Sequence, residues 1–62
     1  KLVRWMKVGD TVLILKDFED FACKGCIGVI EEINIVFNKV RFVSKEGIEM
    51  NCPFFDEELE VI

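Results

Sequence analysis

The 62-residue chain has no histidine, no tyrosine, one tryptophan and one proline. Without histidine it lacks the side chain that most often moves protons near neutral pH, and the commonest neutral metal ligand. Its three cysteines are an odd count that cannot close into a disulfide framework, so at most one bridge forms, and the usage fits a reducing compartment. No apolar run approaches the ~20 residues needed to span a bilayer, and residues 1–6 are too short for a secretory signal. We therefore expect a soluble, cytoplasmic protein, its start at Lys1 suggesting a trimmed N-terminus. Basic side chains are also scarce, 8 against 12 acidic ones. The net charge of −4 repels phosphate backbones and favours a basic partner.

Hydrophobic residues make up 52% of the chain and include six phenylalanines, which is the composition of a folded domain and not of a disordered tail. One domain of this length buries only about 60% of the surface its unfolded chain exposes, leaving little volume for an enclosed catalytic cavity. No enzymatic activity and no catalytic residue is expected. Asp56-Glu57-Glu58 places adjacent carboxylates in a turn, where they repel and hydrate, whereas acid–base chemistry needs two carboxyls in contrasting environments around a cleft.

The dominant period along the chain is two. Thr11 to Lys16 reads as a first strand, and Asp17 to Lys24 as a long acidic and aromatic loop. Cys26 to Ile33 makes a second strand, Asn34 and Asn38 bracket a short turn, and Lys39 to Val43 alternates as a third with Val40 and Phe42 on the core side. Lys45-Glu46-Gly47 predicts a hairpin turn, followed by a fourth strand, Ile48 to Cys52, with Ile48, Met50 and Cys52 facing one way and Pro53 ending it. Phe54 to Glu58 suits a single 3-10 turn, and Leu59 to Ile62 a last short strand. The sum is an all-β, five-stranded small barrel of the Src-homology-3 (SH3-like) type with a 3-10 turn before the last strand. Residues 1–62 form its single domain, with residues 1–7 as an N-terminal extension. Closing such a sheet on itself removes exposed edges.

Cys23 and Cys26 form a C-x-x-C, a spacing that lets two thiolates from one turn occupy two corners of a zinc tetrahedron. Cys52 is available as a third thiolate, but with no histidine the fourth ligand falls to a carboxylate such as Asp20 or Asp56, or to water. The competing expectation is cysteines packed as small hydrophobes, with no cofactor. A thioredoxin-like redox reading needs a βαβ unit that the chain does not offer.

Val8-Gly9-Asp10-x-Val12 followed by Gly25-x-x-Gly28-x-Ile30 resembles the KOW-type strand and loop of ribosomal proteins and transcription elongation factors, over about half the chain. Lys39 to Phe42 and Phe55 to Val61 are similar to the closing segment of the small ferredoxin-docking barrel of photosystem I and related electron-transport accessory barrels, and to uncharacterised bacterial and phage small barrels. These resemblances imply an SH3-like fold. The functions they imply meet departures. The photosystem I barrel docks acidic ferredoxin with basic side chains, and here the first strand keeps only Lys16 and has Leu13 at another usually basic position. KOW domains that bind RNA are basic, and here Asp17, Glu19 and Asp20 oppose Lys24.

Protein recognition remains. With Val12 and Ile14 facing in, Leu13 and Leu15 turn outward and need cover, either from Leu2 to Met6, from the Phe54-Phe55 turn, or from a partner. Ile35-Val36-Phe37 places three bulky apolar residues in a connection, which is unusual unless something packs on them. Phe18 and Phe21 lie where SH3-like barrels line a peptide groove, and they serve equally as anchors for a long loop. The candidate partner-binding set is thus Leu13, Leu15, Phe18, Phe21, Ile35, Val36 and Phe37, for another protein with a basic surface or for a second copy of the chain as a homodimer. We expect a non-catalytic protein-binding module, an accessory or inhibitor subunit. The alternative is a KOW-like nucleic-acid or ribonucleoprotein binder that gathers Lys24, Lys39, Arg41 and Lys45 into a basic patch, and the third is a zinc knuckle through Cys23, Cys26 and Cys52.

Overall fold

Period-two patterning becomes five antiparallel strands in the computed structural model, which describes residues 6–62. The strands are β1 (Thr11–Ile14), β2 (Ile27–Ile33), β3 (Asn38–Val43), β4 (Glu49–Phe54) and β5 (Leu59–Val61), and a 3-10 turn, Asp56–Glu58, precedes β5. They form one sheet in the order β4-β3-β2-β1-β5. The chain is all-β, as the alternation predicts.

One face of this sheet carries nearly all the core. Val12 and Ile14 of β1, Ile30 of β2, Val40 and Phe42 of β3, Cys52 and Phe54 of β4 and Leu59 of β5 are buried together with Met6 and Cys23. The register aligns them: Val12 lies opposite Gly28, Gly28 opposite Phe42, Ile30 opposite Val40, and Val40 opposite Cys52. Among the described residues no helical layer covers this face. The outer face is knitted by charge. A bulge in β2 between Ile30 and Glu32 turns two successive carboxylates outward, where Glu31 receives the Arg41 guanidinium and Glu32 pairs with Lys39 at 3.7 Å. Arg41 also reaches Glu49, and Asn51 donates to Glu31.

Several sequence expectations are corrected here. Pro53 does not end the fourth strand but sits inside β4, opposite Lys39. It is tolerated because β4 is at the edge of the sheet order, where a strand needs hydrogen-bond donors on one side only. Ile48 precedes the strand and is exposed, its N–H held by the Ser44 hydroxyl in the β3–β4 turn, where Gly47 has φ of +84°. Asn38 does not close a turn. It begins β3 and is fully buried, while the β2–β3 turn runs from Asn34 to Phe37. Met6, assigned by sequence to the extension, belongs to the core. The cover expected from Leu2, Val3, Arg4 and Trp5 falls outside the described residues.

Candidate functional site

Three segments distant in sequence converge at one end of the sheet. The β1–β2 loop brings Lys16, Asp17, Phe18 and Glu19, the β2–β3 turn brings Val36 and Phe37, and the end of β4 with the 3-10 turn brings Pro53, Phe54, Phe55 and Glu58. Together they line an open groove of about 330 Å³. Its floor is apolar and its rim acidic.

Each wall is held by local hydrogen bonds. In the β1–β2 loop the Asp17 carboxylate accepts the backbone N–H groups of Cys23 and Lys24 at 2.9 and 2.8 Å, stapling the loop across its width. Phe18 and Phe21 then pair as a two-residue hairpin with Glu19 and Asp20 at its tip, and the Phe18 ring packs edge-on against Phe54 at 6.0 Å. In the β2–β3 turn the Asn34 side-chain oxygen accepts from Val36 and Phe37 N–H, and Asn34 N–H donates to the Phe37 carbonyl. The turn therefore displays its apolar side chains on a fixed frame, with Val36 65% exposed and Ile35 96% exposed. In the third wall Glu58 reaches back to accept the Phe55 N–H at 3.0 Å and pairs with Lys16 at 3.6 Å, while the Asn38 amide donates to Asp56 at 2.7 Å.

These bonds also set the electrostatics. The two backbone donors, Lys24 N–H foremost, hold the Asp17 carboxyl below its ordinary value of 3.8. The Arg41 guanidinium does the same for Glu31 on the outer face. Because both folded-state values are depressed, their contribution to stability is present above the ordinary carboxylate range and is lost as pH falls through the folded-state values. Thermal stability is thus expected to decline as pH drops below about 4, and Asp17→Asn, which keeps the acceptor oxygen without the charge, is expected to flatten part of that decline in a pH series of melting curves.

Glu19 is the exception among the rim carboxylates. It has no hydrogen bond or ion pair among the described residues, and its φ of +53° lies in the left-handed region, which glycine fills at lower cost in the first central position of a two-residue hairpin. Glu19→Gly is expected to raise stability by about 0.5–1 kcal/mol in a urea titration, because the strain of a side chain there is removed.

The groove unites part of the sequence-predicted partner surface and separates the rest. Phe18, Val36 and Phe37 line it, and Ile35 projects from the turn beside it. Phe21 is 49% exposed, so of the two phenylalanines Phe18 is the one packed against the core, beside the buried Cys23 of the same loop. Leu13 is on the outer sheet face, opposite Ile27 and Glu60, and takes no part. Leu15 follows β1, its N–H bonded to the Glu58 carbonyl of the 3-10 turn, and its side chain remains 39% exposed. Pro53, Phe54 and Phe55 are the residues that sequence reasoning gave no binding role. Their signal was an unbroken Pro-Phe-Phe run directly before three carboxylates.

The alternative sites come out differently. Arg41 and Lys39 are already paired with Glu31, Glu49 and Glu32, and Lys24 and Lys45, exposed in separate turns, both act on the Asp17 carboxylate. Among the described residues no group of three or more cysteine, aspartate or glutamate side chains is placed to hold a metal ion. Cys23 and Cys52 are buried, and that burial pushes both thiols up, away from the thiolate a metal needs. A second hollow of about 340 Å³ lies on the outer face at Ile27, Val29, Val43 and Glu49, crossed by Arg41. Among the described residues no helix is long and apolar enough to cross a membrane. Compared with family profiles, curated proteins and solved structures, the chain matches none.

Proposed function

We propose that the chain is a non-catalytic protein-binding module, working as an accessory or inhibitor subunit, and that its groove takes an extended segment of another protein. The observation that carries this reading is the pairing of an apolar floor, Phe18, Val36, Phe37, Phe54 and Phe55, with a rim that includes Glu19, a carboxylate without a hydrogen bond or ion pair among the described residues. An exposed apolar cleft on a small domain loses free energy to water until something covers it. The rim selects the kind of cover. A lysine or arginine beside apolar side chains satisfies Glu19, whereas a phosphate backbone meets three acidic groups in the groove's lining against one basic one, Lys16, although Lys24 and Lys45 also act on Asp17 from outside it. Strand order and the 3-10 turn before β5 support the SH3-like architecture that the sequence resembles. No tyrosine is present, so the aromatic surface is built from phenylalanine and gives hydrophobic contact without hydroxyl donors.

Selection of displayed random peptides on the immobilised protein tests this reading. Enriched sequences are expected to place one or two basic residues next to apolar ones, and the best of them to shift backbone amide resonances at Phe18, Val36 and Phe55 in a nitrogen-edited NMR titration. Shifts centred on Ile27 and Val43, or no enrichment over a blank support, would overturn it.

A further inference from the structure

We propose that Cys23 and Cys26 are a reversible disulfide site, closed by thiol–disulfide exchange with a small-molecule disulfide such as oxidised glutathione, with Cys26 as the attacking thiol and Cys23 as the resolving one. The C-x-x-C is the motif that the groove does not use. It lies in a hydrogen-bonded turn, Cys26 N–H donating to the Cys23 carbonyl at 3.0 Å, with Gly25 at φ of +93°. A turn of this kind keeps its first and fourth Cα atoms within about 7 Å, the range a disulfide can bridge. Both side chains point to the same side, since Cys23 is in the core and Cys26 packs against that core.

The backbone around the pair is held on several sides. Gly25 N–H donates to the Ile14 carbonyl at 2.7 Å, Ile14 N–H to the Cys26 carbonyl at 2.9 Å, and Asp17 takes the N–H groups of Cys23 and Lys24. These bonds fix the separation of the two cysteines. Their accessibility differs in the way a two-step exchange requires. Cys26 is half-buried, whereas Cys23 is fully buried with its thiol donating to the Lys16 carbonyl at 3.6 Å, and Cys52 is buried as well.

In the first step the Cys26 thiolate attacks one sulfur of the glutathione disulfide. A mixed disulfide forms on Cys26 and one glutathione leaves as a thiolate that takes up the proton Cys26 released. In the second step Cys23, whose thiol burial pushes up, gives its proton to the alkaline medium as its sulfur attacks the Cys26 sulfur, and the second glutathione leaves as a thiolate that takes up a proton. Two protein thiols are oxidised to one disulfide, and one glutathione disulfide is reduced to two glutathiones. Cys52 stays a thiol, because it is buried away from the oxidant.

The native protein is incubated with excess oxidised glutathione at about pH 8.5, where free thiols are substantially ionised. It is then quenched with an alkylating reagent, cut with trypsin and mapped by mass spectrometry. Trypsin cuts after Lys24, between the two cysteines, so the bond shows as two peptides joined through sulfur and two hydrogens lighter than their sum. The expected result is that joined pair with Cys52 alkylated, the same pair in Cys52→Ser, and glutathione trapped on Cys26 in Cys23→Ser. A Cys23–Cys52 link, glutathione retained on Cys26 in the wild type, or three alkylated cysteines would overturn the proposal. The wild-type map decides the matter even where a variant fails to fold.

Discussion

Gly28→Ala is expected to cost about 3 kcal/mol or more of folding stability and to lower the melting temperature by roughly 12–24 °C in a domain of this size. Gly28 is the second residue of β2, on the buried face, between Val12 and Phe42. A methyl group added there meets Val40 Cγ1 at 2.6 Å, the Arg41 carbonyl oxygen at 2.7 Å and Phe42 Cβ at 3.0 Å. A rotating side chain does not relieve this, because one of the atoms is the β3 backbone itself and the other two sit at or near it. Relief requires β2 and β3 to part, which breaks the ladder in the centre of the sheet. Total stability for 62 residues is on the order of 3–9 kcal/mol, so a loss of this size leaves the variant partly unfolded at room temperature. Urea or thermal unfolding followed by circular dichroism reads it directly. A variant within 0.5 kcal/mol of wild type, roughly the spread of neutral surface substitutions, would show that the two strands do not approach as described.

The second large effect is at Asn38. Its side chain is fully buried, donating to Asp56 and, at 3.4 Å, to the Phe54 carbonyl, so that one amide joins the start of β3 to the end of β4 and to the 3-10 turn. Asn38→Ala removes both donations and leaves a small void, at a cost of about 2–3 kcal/mol. Asn38→Asp keeps the shape and is expected to cost more at neutral pH, since it buries a carboxylate against the Asp56 carboxylate. Burial and the like charge raise the pKa of the new group above its unfolded value. Its penalty is therefore absent below the ordinary carboxylate range and grows as pH rises through that range and on to the raised value. The Asp variant should approach wild type near pH 4 and fall well below it at pH 7, while the Ala variant shows no such recovery. Because Asn38 positions the turn that carries Phe55 and Glu58, both variants are also expected to weaken groove binding beyond what the unfolded fraction explains.

The strands were legible because their burial is one-sided. Val12 and Ile14, Val40 and Phe42, and Cys52 alternate with outward residues as a half-buried sheet requires. The Gly25-x-x-Gly28 spacing, which marks a loop entering a strand, answers two different demands: Gly25 turns the chain, and Gly28 makes room for β3. Pro53 misled because a proline rule that holds inside a sheet relaxes at its edge, and edge position is a property of topology, not of the local sequence. Asn38 misled for a related reason. Asparagine is a turn residue by propensity, and only the distant Asp56 and Phe54 explain its burial. The candidate site was half visible. Ile35-Val36-Phe37 stood out as apolar residues in a connection, and Phe18 as an aromatic in an acidic loop, but that these meet Pro53, Phe54 and Phe55 is a fact of long-range packing. Leu13, equally apolar in sequence, lies on another face because the pleat puts it there.

The measurement that tests the account most directly is binding of a selected basic, apolar peptide to three variants by titration calorimetry. Val36→Asp combined with Phe55→Asp places charge on two exposed groove positions and is expected to weaken binding at least tenfold while the fold is kept. Glu19→Lys is expected to weaken it several-fold, the loss shrinking as salt is raised. Ile27→Asp, on the outer face, is expected to bind as wild type does. If the groove variants bind like wild type and Ile27→Asp does not, the groove is not the recognition surface and the outer face takes its place.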